Sequence, residues 1–191
     1  MILSPENGNT FIESSQPDSN NYVVYTRANR VNSNDDFECE VTDQMNKFLE
    51  IGNGLRNADD GILRTFRLAV STTGEYTQYH GGSVSQSLAA INTTMTRVNG
   101  LFENDFNVTM VLIPNNDAII YTNGNTDPYS NGSYNNQVQN VLTNIIGEAN
   151  YDVGHLFARA SDKGNAGCIG CVCVNGQKGS AFTSRSTPEG D

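Results

Sequence analysis

The chain has 191 residues, 37% hydrophobic and 17% charged, a mixture able to bury the core of one domain or slightly more. Its 21 acidic against 11 basic side chains give a formal charge of -10, which repels phosphate backbones and anionic membrane surfaces and argues against nucleic acid as a partner. No apolar run reaches the roughly 18 residues of a spanning helix, and the start at Met1-Ile2-Leu3-Ser4-Pro5-Glu6 lacks the basic and apolar regions of a signal peptide.

Residues 1–60 are rich in Asn, Ser, Asp and Glu, and their one β-like run is Tyr22-Val23-Val24-Tyr25. The acidic segment 35–43 and the turn-rich Gly52-Asn53-Gly54 lack a period that would bury a face, so a largely irregular linker or propeptide tail is expected, with a boundary at 57–60. A globular unit is expected over 61–191. It opens with a strand over Leu63–Val70, with Arg64, Phe66, Leu68 and Val70 on one face. After the break at Gly81-Gly82, Ser83 and Gln86 form a capping box, and Val84, Leu88, Ile91, Met95, Val98 and Phe102 recur at helical spacing; a long helix over Ser83–Phe106 follows. The apolar run Val108–Ile113, ended by Pro114, reads as a strand covered on both faces, and Asn115-Asn116-Asp117 turns the chain into a further extended run, Ala118–Tyr121. Beyond a polar loop, Val138, Val141, Leu142, Ile145, Ile146 and Ala149 predict a second helix over Tyr134–Asn150. Asp152–Phe157 and Gly167–Val174 are expected as the last strands. This order predicts an α/β (α+β) fold: a mixed, mostly parallel twisted sheet with right-handed crossovers and two long helices.

Zinc peptidase chemistry calls for histidines at i and i+4 with a glutamate beside them, whereas this chain holds only His80 and His155, far apart and outside any such pattern. A histidine in a strand such as that of His155 is expected to be structural, and His80 to belong to a loop. No G-x-S-x-G elbow and no lysine-bearing phosphate loop is present. Cys168, Cys171 and Cys173 crowd into six residues; they are read either as disulfide cysteines whose partners lie elsewhere or as part of a metal site with distant Cys39. In an extended strand Cys171 and Cys173 would share one face and Cys168 the other. The lysines are only Lys47, Lys163 and Lys178, and Asn, Thr, Ser and Gly crowd the loops, a balance that leans toward a secreted protein.

Several stretches taken together resemble the bacterial reprolysin-like (adamalysin-type) zinc metallopeptidases of the metzincin clan: Asn57-Ala58-Asp59-Asp60, Leu63-Arg64-Thr65-Phe66-Arg67-Leu68-Ala69, Thr73-Gly74-Glu75-Tyr76-Thr77, Phe106-Asn107-Val108-Thr109-Met110, Leu112-Ile113-Pro114-Asn115-Asn116, Tyr151-Asp152-Val153-Gly154-His155-Leu156-Phe157 and the cysteine run 165–173. The resemblance implies a secreted endopeptidase acting on proteins or peptides, with the chain covering the upper subdomain of the fold and incomplete at its C-terminus. It implies a substrate-binding edge strand at Ala166, Gly167, Cys168, Ile169, Gly170, Cys171 and Val172, where main-chain pairing would hold an extended peptide. A plain structural edge strand is the alternative. The zinc helix H-E-x-x-H-x-x-G-x-x-H is absent, so zinc and its catalytic water are expected from residues downstream of Asp191, and the chain alone should not hydrolyse peptides. Cys39 is then either an inhibitory thiolate for the zinc of a zymogen or an ordinary disulfide cysteine. The resemblance also admits structural calcium at Asp117, Asp127 and Asp152, whose alternative is solvated loop carboxylates. Two competing expectations remain: a non-catalytic extracellular binding or adhesion module on the same scaffold, and a metal or redox module built on the three clustered cysteines.

Overall fold

The computed structural model describes residues 10–14, 20–26, 37–40, 61–130 and 132–189. Strands β1 (Thr10–Ser14) and β2 (Tyr22–Thr26) pair antiparallel, with Thr10 opposite Thr26 and Ser14 opposite Tyr22. The remaining strands are β3 (Glu38–Cys39), β4 (Arg64–Thr72), β5 (Val108–Leu112), β6 (Val153–Ala158), β7 (Lys163–Asn165) and β8 (Ala181–Ser184). They form one sheet in the order β3-β7-β8-β6-β4-β5, parallel throughout except between β7 and β8. The expected mixed, mostly parallel sheet is therefore present. The boundary at 57–60 lies outside the described residues. Within the first 60 residues, the described stretches are strands, and Glu38–Cys39 joins the main sheet where an irregular segment was expected; pairing with the edge of β7 orders it without a buried face.

Helix α1 (Gly74–Tyr79) escaped the sequence reading, which saw only the break at Gly81-Gly82. Its signal was the Thr73 cap, whose Oγ1 accepts a hydrogen bond from the Tyr76 amide. Helix α2 (Val84–Phe106) runs as expected, with Ser83 accepting from the Gln86 amide and donating to Gln86 Oε1 at 2.7 Å. The apolar stripe of α2 packs with Leu68, Val70, Tyr76 and Phe157 on one face of the sheet. Helix α3 (Tyr134–Val141) passes into a π turn at Leu142–Ile146 and a short 3-10 turn at Glu148–Asn150, and it covers the opposite face with Ala69, Leu156 and Phe182. The single helix expected to Asn150 is broken because Gly147 takes φ +83°, which a continuing helix cannot accommodate.

Two strand expectations also change. β5 is the sheet's outer strand, so Val111 is 54% exposed rather than covered on both faces. Ala118–Tyr121 is not a strand: Asn116–Ile119 forms a 3-10 turn and Ile120 makes only an isolated bridge to Thr72. Side-chain bonding explains this local choice, because the buried Asn116 amide accepts from the Val70 N–H at 2.8 Å and donates to the Val70 carbonyl at 2.9 Å, completing the ladder where β5 has ended. At the same end of β4 a chain of buried hydroxyls, Thr72, Thr77 and Ser87, joins the strand to α1 and α2 at 3.0 and 3.3 Å. No helix among the described residues is long and apolar enough to cross a membrane.

Candidate functional site

The sheet ends at the β3–β7 edge. Phe37, Glu38, Cys39 and Glu40 lie alongside β7 in parallel, with the Glu38 amide donating to the Asp162 carbonyl and the Glu40 amide to the Gly164 carbonyl, each at 2.9 Å. β7, Lys163–Asn165, is thus the second strand from this edge, upstream of the predicted Ala166, Gly167, Cys168, Ile169, Gly170, Cys171 and Val172, which form a loop of turns. Positive φ values at Gly167 (+70°), Gly170 (+77°) and Cys173 (+64°) forbid a regular strand there. The turn at Gly170 brings Cys168 and Cys171 to a Cα separation of 5.7 Å, where they form a disulfide with one another instead of with distant partners. Gln177 sits 3.2 Å from both sulfurs, while Cys173 and Cys39 are unbonded and exposed. The short, polar β7 and β8 were missed; alternating Phe182 and Thr183 were their only signal.

On the α2 face, a largely apolar cavity of about 260 Å³ opens between α2 and the sheet, with Tyr76, Val98, Leu101, Phe157 and Pro188 among its walls. Phe11 of β1 reaches one rim of it; Arg97 of α2 stacks over the Phe11 ring at 5.0 Å and donates to the Tyr25 hydroxyl at 3.2 Å. A row of aromatic rings follows the cavity wall: His80 lies 4.5 Å from Tyr76, Tyr76 5.7 Å from Phe157, and Phe157 5.4 Å from His155.

Two rings therefore stand between the imidazoles, and His80 and His155 cannot share a metal ion. His155 projects from β6 and shares a hydrogen bond with the Thr183 hydroxyl at 2.9 Å. Enclosure by its neighbours pushes its imidazole down to about 4. For His80, at the end of α1, burial lowers the imidazole below its ordinary value, opposed by the Pro188 carbonyl and the Glu189 carboxylate, and Nε2 has no partner. His155 stands in a strand and His80 in the turn that closes α1, as the sequence led one to expect.

The folded state keeps His155 neutral while the unfolded chain takes up a proton near pH 6.5, so stability is full above that value and falls as pH drops toward about 4. The loss is expected to reach at most about 3 kcal/mol. Urea melts from pH 8 to pH 4 should show this slope, and His155→Gln, which preserves the bond to Thr183, should flatten it; equal slopes in both proteins would exclude His155 as the cause.

The three aspartates expected to gather around calcium do not. Asp152 is bound by Arg67 through Nε at 3.0 Å and Nη2 at 2.7 Å, an ion pair that holds its carboxyl below the ordinary range. Asp127 sits beyond the far end of β4, accepting from the amides of Gly74 at 2.6 Å and Tyr129 at 2.9 Å; burial nonetheless raises its carboxyl. Arg67 and Gly74 are roughly 20 Å apart along an extended strand, so the carboxylates they hold cannot meet. Asp117 lies in the first turn of the 3-10 segment after β5. Among the described residues no group of three or more His, Cys, Asp or Glu side chains is arranged to hold a metal ion. That includes zinc: the residues present do not fit it.

Comparison with known families agrees with this scaffold. The model of the family described as Metallo-peptidase family M12B Reprolysin-like matches residues 62–191. No curated protein matches the chain.

Proposed function

We propose, from the premise that the chain belongs to the M12B reprolysin-like metallopeptidases, that it is the peptide-docking half of a secreted zinc endopeptidase kept latent by its own upstream segment. Membership of a peptidase family implies a protein or peptide substrate. The observation that carries the finer reading is the outer edge of β7, which already pairs backbone to backbone with an extended stretch of the chain, Phe37–Glu40. Strand addition of this kind holds any extended peptide by its main chain and leaves side-chain pockets to select among sequences.

Zinc, when bound, would polarise the scissile carbonyl and activate water. The whole sequence has two histidines, and they are separated by aromatic rings, so in this reading the ligands come from residues outside these 191. The chain's own part is to hold and orient the extended peptide along β7, beside the apolar cavity under α2. The Cys168–Cys171 disulfide and the scarcity of lysine support an oxidising, extracellular setting. Latency rests on Cys39, an unbonded exposed thiol on the strand that occupies the edge, whose thiolate would be the zinc's inhibitory ligand.

Zinc content and chelator-sensitive hydrolysis of an unstructured protein, measured on the native protein that contains this chain, test the reading. One zinc per protein and hydrolysis only after processing are expected, with hydrolysis before processing in Cys39→Ala. A zinc-free, inactive protein would instead make the scaffold a binding module, and unchanged latency in Cys39→Ala would remove the thiol from its role.

A further inference from the structure

The segment seated on β7 shows what chemistry that edge selects. Alternation along the strand sends Phe37 and Cys39 to one face of the sheet and Glu38 and Glu40 to the other. On the first face the Phe37 ring lies over Gly164, where an added Cβ would come within 2.8 Å of its Cζ atom. Arg185 stacks over the same ring at 5.6 Å and is held there by Asp162 at 3.6 Å. On the second face Lys163 Nζ reaches Glu40 Oε1 at 3.1 Å while standing 5.9 Å from the centre of the Phe182 ring. The Lys163 side chain is only 15% exposed, so its ammonium depends on the carboxylate opposite it. Asn165 adds a side-chain hydrogen bond to the Glu40 carbonyl at 3.1 Å.

We propose that the β7 edge is a selective seat for an extended acidic peptide bearing an aromatic residue three positions before a carboxylate, with Gly164 and Arg185 selecting the aromatic ring and Lys163 the acid. Phe37–Glu40 is its intramolecular occupant. The proposal rests on the reading of β7 as the docking edge and adds to it the side-chain preference and the direction, parallel to β7. Lys163 supplies the cation that meets the acid, on a chain whose net charge of -10 is otherwise unfavourable to acidic peptides. The occupant is held by a two-residue ladder and Phe37 stays 42% exposed, so the hold is weak and exchangeable. Tethering, at an effective concentration of about millimolar, keeps it in place against free peptides.

The test uses the full chain and a fluorescein-labelled peptide copying residues 35–42 with serine for the cysteine, followed by fluorescence anisotropy. Wild type, its seat filled, should bind at least tenfold more weakly than the Phe37→Ala/Glu40→Ala variant, whose seat is vacated. Adding Lys163→Glu to that variant should remove binding at least tenfold, and a peptide carrying lysine at the position of Glu40 should restore it. Equal binding by all proteins, or no rescue by the charge-reversed peptide, would overturn the proposal. Hydrogen exchange keeps the test informative if the double variant folds poorly: in the single variant Lys163→Glu the Glu38 and Glu40 amides should exchange at least tenfold faster than in wild type, and unchanged protection would also overturn it. Neither readout involves metal or hydrolysis, so loss of the zinc-peptidase reading would leave the seat standing, and loss of the seat would leave that reading standing.

Discussion

Asn116→Ala should destabilise the fold by about 3–5 kcal/mol, because the substitution leaves the N–H and the carbonyl of Val70 buried without partners and each such group costs about 1–3 kcal/mol. The side chain is only 3% exposed, and its amide stands in for a strand residue where β5 has turned away from β4. The effect is read as a drop in the urea midpoint at unchanged slope. Asn116→Asp retains the acceptor for the Val70 amide but sets a carboxylate oxygen against the Val70 carbonyl, so it should not rescue. A loss below about 0.5 kcal/mol in the alanine variant, the range of ordinary surface changes, would mean that water or a shifted strand completes the ladder instead.

The second large effect is expected at Leu142, where α3 passes into its π turn. Its side chain is fully buried, and its Cδ1 atom fills the space that side chains at Gly154 of β6 and at Gly179 would otherwise occupy, at 2.2 and 2.9 Å from their ideal Cβ positions. Leu142→Ala should therefore cost about 3–5 kcal/mol, the transfer energy of the lost carbons plus the cavity they leave. For a chain of this size the melting temperature should fall by roughly 10 °C. Adding Gly154→Ala should not restore it, because the new methyl would also meet the Gly179 backbone at 2.7 Å. Restoration would show that β6 and the Gly179 turn move apart more readily than close packing implies.

Both residues lie in the part of the chain whose pattern was least informative. Leu142 was legible as a helical core residue, but the end of that helix was not, since Gly147 had to compete with the continuing apolar period of Ile145, Ile146 and Ala149. Asn116 looked like a turn residue and nothing more. Its role depends on Val70, which is 46 positions away and meets it only after β4 and β5 have paired.

The sequence by itself determined the elements whose burial is repetitive. The stripe from Val84 to Phe102 made α2, the runs at Leu63–Val70 and Val108–Ile113 made the paired β4 and β5, and Asp152–Phe157 made β6, because a period that recurs over one side of an element leaves little choice of face. Tertiary structure alone decided the site's edge. Lys163–Asn165 is too short and polar to show a period, and it becomes a strand because β8 pairs with it on one side and Glu38–Cys39 on the other. The cysteine run, apolar enough to look extended, became a disulfide-closed turn because its glycines take positive φ. Asp127 and Asp152, alike in sequence, were sent to opposite ends of β4 by their amide and guanidinium partners, separations that no local spacing encodes.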